Sequence, residues 1–401
     1  MRRTMVVPLV LLCVASGCAR RGDSNARRVR GPQPRAAAAG TGPESVEVAA
    51  ARRLAMSKST GLAGSPGGMA TDRAGTVVAV DDDSVVALDQ DGDEQWSTRV
   101  AGAGLGWPAL GDGLVVVPTL RDDGGPGGCV ALDRSTGSRV WAYEEPDSQG
   151  VAVALAGPRV VCALSNGVVV AVDRATGQRL WRIVFAPRAA RSVVSIAERG
   201  ALAVDDATSR VVFTVRVGPT WLVATVDVGT GAERGEFDLT TVGPVSAPVS
   251  ISPGMLAVGV SGSREVCALD LRRGRVGTCV RAPVPDGFDP ASVPLFVSGL
   301  VVIAGRDGSV SAIDLASKKV RWSVRTPNPI LDARPVVVGG VVMFSDWTRV
   351  PWAVRLSDGA RIAVPKFDGW VVSTVADAAG GFEVAERNMD GGWIERWVPV
   401  A

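Results

Sequence analysis

Apolar residues in this chain come in short runs, each broken by Gly, Asp, Pro or a basic residue; VVVPT (115–119) and VVVGGVVMFSD (336–346) are typical. Runs of this length, rich in Val and closed by turn formers, predict β-strands. One kind of run recurs with its flanks. A small residue, an apolar residue and Asp end it, a Gly-containing turn follows, and Trp often comes next. The copies are VVALDQDGDEQW (85–96), CVALDRSTGSRVW (129–141), VVAVDRATGQRLW (169–181), VATVDVGTGAERG (223–235), VCALDLRRGRVGT (266–278) and VSAIDLASKKVRW (310–322), with a degenerate seventh, WAVRLSDGARIAV (352–364). Anchored on Asp89, Asp133, Asp173, Asp227, Asp270, Asp314 and Ser357, the copies are spaced by 40 to 54 residues. A near-constant period of this length predicts a β-propeller with four short strands per blade.

Within the motif each residue type has a structural task. In the two complete copies, Asp133 and Asp173 are expected to accept hydrogen bonds from turn amides. Gly137 and Gly177 supply the positive-φ position, and Trp141 and Trp181 fill the gap between blades, each with one N–H for a backbone carbonyl. The Ala two positions before the Asp keeps the strand thin where blades meet. The pattern A-x-D-x-x-T-G-x-x-x-W resembles the tryptophan-docking repeats of the PQQ-like, or quinoprotein-like, propellers, over roughly residues 60–401. That resemblance implies the fold and leaves function open, since enzymes and scaffolds share it.

Seven anchored units end near residue 364, yet VVSTVAD (371–377), FEVAER (382–387) and WIERWVPV (393–400) follow. Three further strands need one more to complete a blade, and a ring must not leave its edges bare. The expectation is therefore an all-β, eight-bladed propeller closed by an N-terminal strand, with SVEVAA (45–50) as the candidate. Seven blades with a hairpin appendage is the alternative.

The N-terminus follows another pattern. Arg2 and Arg3 precede an apolar run from Met5 to Ala15 that is too short to span a bilayer, followed by A-S-G-C ending at Cys18. This resembles the lipobox of bacterial lipoproteins, although Ala15 stands where that family prefers Leu. It implies removal of residues 1–17 and lipidation of Cys18; an ordinary signal peptide is the alternative. Residues 18–44 carry Arg20, Arg21, Arg27, Arg28, Arg30 and Arg35 against Asp23 and Glu44, among Pro, Gly and Ala. They read as a flexible basic tether, leaving residues 45–401 as the propeller, anchored outside the cytoplasm by its lipid.

Composition narrows the chemistry. The formal net charge is +2 and there is no histidine, which excludes Ser-His and Cys-His catalysis and removes the commonest nitrogen metal ligand. Once the signal and tether arginines are set aside, acids slightly outnumber bases, so nucleic acid is not an expected partner. Quinoprotein dehydrogenases of the resembled superfamily hold PQQ with a calcium or lanthanide ion, an aspartate base and commonly a disulfide between adjacent cysteines. This chain has no adjacent cysteines, no C-x-x-C-H and no calcium-loop cluster. No cofactor, metal or catalytic residue is therefore expected.

Cys267 and Cys279 flank the turn around Arg273 symmetrically and can face each other as a disulfide; four buried thiols, with Cys129 and Cys162, are the alternative. Trp107 and Trp370 stand where loops enter inner strands, at the mouth of the funnel. Corresponding junctions offer Arg191, Asp289 and Arg334, which gives a mixed aromatic and charged candidate face for protein or peptide partners. The leading expectation is a non-catalytic envelope scaffold. PQQ-like lipoproteins include the propeller subunit of the outer-membrane barrel-assembly machinery, which offers strand edges and loops to its partners. The alternatives are a quinoprotein dehydrogenase with divergent ligands and a small-ligand envelope sensor.

Overall fold

Among the described residues, strands pair antiparallel with their sequence neighbours and build eight sheets along the chain: 66–99, 109–145, 150–184, 194–238, 249–281, 295–325, 336–362 and 370–400. These are blades 1 to 8. The computed structural model describes residues 53–63, 66–80, 83–103, 107–120, 125–185, 194–195, 202–217, 220–238, 249–252, 254–260, 265–281, 294–305, 307–330, 335–365, 369–377, 379–388 and 391–400. Blade 4 alone has its inner strand in two pieces, Val194–Ser195 and Leu202–Asp205, both paired with Arg210–Val217.

Blade 8 closes the ring. Its C-terminal strands Trp370–Ala376, Phe382–Arg387 and Gly392–Val400 take Arg53–Leu62 as their outermost partner, so there are eight blades and not seven. The closing strand is thus RLAMSKSTGL; the candidate SVEVAA (45–50) lies outside the described residues. An outermost strand buries little of itself, and only Leu54 is fully covered here. It therefore lacks the apolar alternation by which strands are recognised.

The core is a set of eight apolar layers, one between each pair of adjacent blades. Middle strands are covered on both faces, which is why they read as unbroken Val runs such as Leu114–Thr119 and Val168–Asp173. The motif's Ala is thin for a specific reason. Ala87, Ala131, Ala171 and Ala312 lie directly across the sheet from Trp96, Trp141, Trp181 and Trp322, on the same face. A β-bulge just before each Trp re-aims the indole toward the next blade. The skipped residues Val140 and Leu180 are left exposed.

Each of these indoles donates Nε1–H to a backbone carbonyl one blade on: Trp96 to Arg134 at 2.9 Å, Trp141 to Arg174 at 2.8 Å, Trp181 to Val228 at 2.9 Å and Trp322 to Leu356 at 2.6 Å. The ring lies on the glycine of that blade's turn. A Cβ on Gly177 would sit 2.7 Å from Trp141, and φ there is +72°. Gly137, Gly231 and Gly359 receive the other three in the same way. The motif's glycine therefore serves the turn and the neighbouring Trp at once.

In the degenerate seventh copy the turn is anchored two residues before Ser357. Arg355 takes the Asp position, since its N–H bonds Ala360 O and its carbonyl receives Gly359 N–H. The carboxylate has moved to Asp358, which binds Arg355 Nη1 at 2.7 Å.

Candidate functional site

The repeated polar groups are occupied by the fold. Asp133 Oδ1 accepts from the backbone N–H and the hydroxyl of both Ser135 and Thr136. The Ser135 hydroxyl, then the Thr136 donors, hold this carboxyl below its ordinary range. Asp173 is lowered in the same manner, chiefly by the Thr176 hydroxyl. Such groups are satisfied acceptors, not bases. The Arg that follows each of these acids ties blades together: Arg134 forks onto Asp72 of blade 1 at 3.0 and 3.1 Å, and Arg174 reaches Asp112 of blade 2 at 2.6 Å. Nothing in the sequence reading had assigned those arginines a role.

Cys267 and Cys279 are joined across the third and fourth strands of blade 5, with Cα atoms 4.0 Å apart. Cys129 and Cys162 form a second disulfide, from blade 2 to blade 3, for which the sequence carried no pairing signal. Among the described residues, one grouping of three metal-capable side chains occurs: Glu265, Cys267 and Cys279. Its two sulfurs are bonded to each other, which leaves a single carboxylate. That donor set does not fit the oxygen-rich cation of a quinone site.

The described surface opens between blades 6 and 7. In blade 6 the fourth strand, Lys319–Arg325, covers the third along its whole length, and Ser311 is buried opposite Ser323. In blade 7 the fourth strand is only Arg361–Ile362, paired with Val354 and Ala353. Ala363, next in line to lie opposite Trp352, turns away to bridge Arg53 and accepts from Leu54 N–H at 2.7 Å. Among the described residues, Pro351 and Trp352 have no fourth-strand partner. A cleft of about 640 Å³ results, floored by Trp352 and Val354 and walled by Arg325, Pro327 and Arg361.

Trp352 is held from behind. Its Nε1–H points to Asp346 Oδ2 at 3.4 Å, and the buried Asp346 also accepts from Asn328 Nδ2, the Thr348 hydroxyl and Val350 N–H. Arg361 lies over the indole face, with Cζ 4.2 Å from the ring centroid. The loop that carries Asp346 also presents Trp347, 54% exposed, and is hydrogen-bonded to Pro329 and to Val371. Val371 follows Trp370, 46% exposed, so two open indoles flank one loop beside the cleft.

Of the residues expected at the funnel, Trp370 opens the inner strand of blade 8 and is exposed, whereas Trp107 precedes the inner strand Ala109–Gly111 and is half-buried. These two stand on different blades, 8 and 2. Arg191, Asp289, Arg334 and Cys18 lie outside the described residues. Nothing in the sequence singled out Trp352 or Trp347; the one usable clue was the degeneracy of the seventh motif.

An eight-bladed ring in which Asp–Gly–Trp turns recur at blade seams is a PQQ-like repeat propeller. The family model described as outer membrane protein assembly factor BamB matches residues 36–277, 219–364 and 284–391, and the chain belongs to that family. Similar solved structures include BamB from Moraxella catarrhalis, with 17% identity, 86% of this chain and 99% of that one covered, and a TM-score of 0.63. A europium-containing methanol dehydrogenase is also similar, at 14% identity, 84% and 85% coverage and a TM-score of 0.65. So is a quinohemoprotein alcohol dehydrogenase from Comamonas testosteroni, at 15%, 86% and 76%, with 0.64. At such identities the likeness is one of fold. Among the curated proteins, none matches the chain.

Proposed function

We propose that this chain is a non-catalytic scaffold of the cell envelope that binds protein or peptide partners through the loop face of blades 6 to 8. The observation that carries the reading is the contrast in how polar and aromatic groups are used. The motif's carboxylates and indoles are consumed in docking blades, whereas Trp347, Trp370 and the cleft over Trp352 remain open to solvent. Exposed indoles and arginines beside a concave surface are the side chains that dominate protein interfaces. Family membership supports the same reading. Residues 1–17 act as the export signal, Cys18 as the lipid attachment point and residues 18–44 as the tether to the membrane. Among the described residues no helix is long and apolar enough to cross a membrane.

Crosslinking in intact cells followed by affinity capture tests this reading, with native chain compared to Cys18→Ala. The expected result is a discrete set of envelope proteins captured by the native chain and depleted in the unanchored variant. Stoichiometric uptake of PQQ with calcium, seen as absorbance and a thermal shift, would replace the scaffold by the dehydrogenase alternative.

A further inference from the structure

We infer that the cleft between blades 6 and 7 is a docking site for an extended, acidic segment of a partner protein. This rests on the scaffold reading and gives the partner a chemistry. Three observations converge on the occupant. The first is charge: Arg325 and Arg361 stand exposed at the rim, and among the described residues neither makes an ion pair and no carboxylate lines the cleft. The second is geometry. Arg361 Cζ lies over the Trp352 ring, 4.2 Å from its centroid, which holds the guanidinium at the cleft, and a guanidinium so held offers a fork of N–H donors to a carboxylate. The third is the backbone: among the described residues the third strand of blade 7, Pro351–Arg355, has no fourth-strand partner at Pro351, whose carbonyl faces that edge and is placed to accept an N–H of an extended chain, while the N–H and C=O of Trp352 face Phe344 within the blade.

The apolar floor of Trp352, Val354 and Pro327 then selects for an aliphatic or aromatic side chain beside the acid. A small polar anion would use the arginines and leave that floor wet, so an acidic peptide answers all three features together. The site owes its existence to closure of the ring, because Ala363 is drawn off to meet Arg53 and Leu54 of the closing strand.

The test is to pan random twelve-residue displayed peptides against the full chain and to titrate the enriched peptides on native protein, R325E/R361E, W352A and the distant exposed-site control R139E. Thermal melts establish that each variant is folded. The expected peptides carry Asp or Glu next to an apolar residue. Their affinity falls about tenfold or more in R325E/R361E, weakens with added salt and is unchanged in R139E. R325E/R361E alters only exposed side chains and decides the matter if W352A does not fold. Peptides that bind R325E/R361E as well as native chain, enrichment of no peptide, or uptake of phosphatidylglycerol vesicles through the same arginines would each overturn the assignment. Cellular partners captured equally by native chain and R325E/R361E would leave the scaffold reading standing and remove the cleft from it. Failure of the native chain to capture any partner in cells would remove the scaffold reading, and a partner protein as occupant with it.

Discussion

Blades 2 and 3 and blades 6 and 7 meet through the same device and end in opposite states. In both pairs a Trp of one blade rests on the turn glycine of the next and donates to a backbone carbonyl, Trp141 on Gly177 and Trp322 on Gly359. The first seam is then sealed further by the Cys129–Cys162 disulfide, by Arg174 on Asp112 and by Arg182 on Glu145 at 2.7 Å. The second opens into a cleft because blade 7 spends only two residues on its fourth strand. The docking motif is therefore indifferent to function. On the proposed reading, binding capacity arises where a repeat drops one of its parts, and that is where the ring becomes distinguishable to a partner.

The largest effect should come from removing the shared device. Trp141→Ala and Trp322→Ala should each cost about 3–5 kcal/mol of stability, as expected for deleting a buried indole and orphaning its carbonyl partner. Denaturant unfolding would measure both. A much smaller loss at Trp322 would mean that the second seam is held by something else. Replacing Cys129 and Cys162 together by Ala should cost roughly 2–4 kcal/mol, since the bond closes a loop of 33 residues and crosses a seam. The same replacement of Cys267 and Cys279, which join adjacent strands of one blade over 12 residues, should cost less.

The closing seam between blades 8 and 1 gives a third case. It has no Trp; Lys58 and Thr60 lie against Gly92 instead, with Thr60 Oγ1 donating to Gly92 O at 3.0 Å. Burial of Glu383, with Asp377 beside it, pushes this carboxyl up to about 7 against the pull of Arg396 and Lys58. The unfolded chain holds it near its ordinary value, so between the two values the folded state binds the extra proton. This contribution to stability is complete below about pH 4 and is lost as pH rises through 7, a change of roughly 3 kcal/mol. Glu383→Gln should flatten that dependence between pH 5 and pH 8 in urea unfolding. An unchanged slope would relocate the titration. The smallest effect should be that of Arg361→Glu on folding, within about 0.5 kcal/mol of native, because this exposed side chain serves the cleft and not the seam.

The fold was legible because a propeller repeats its most demanding contacts, and demanding contacts need particular residues. Asp, Gly and Trp at fixed spacing leave few other structures, and three leftover strands required a fourth. What escaped the sequence was set by tertiary partners. Arg53–Leu62 is an outer strand with one covered side chain in ten residues, so its pattern resembled a loop. Cys129 and Cys162 are brought together by two different blades, and Trp352 is uncovered only because Ala363 pairs with the closing strand. The degenerate seventh motif did mark the right place. Losing its Trp and shifting its acid from position 355 to Asp358 coincide with the blade that fails to cover its own edge.

Trp347 and Leu180 are both large apolar side chains about half exposed, one on the open face and one on the sealed side of the ring. Replacing each in turn by a photoreactive benzoylphenylalanine and irradiating intact cells compares the two regions directly. Discrete protein adducts from position 347 and none from position 180 are the predicted outcome. Adducts from position 180 at equal or higher yield, or none from position 347, would contradict the location of binding on the face beside blade 7.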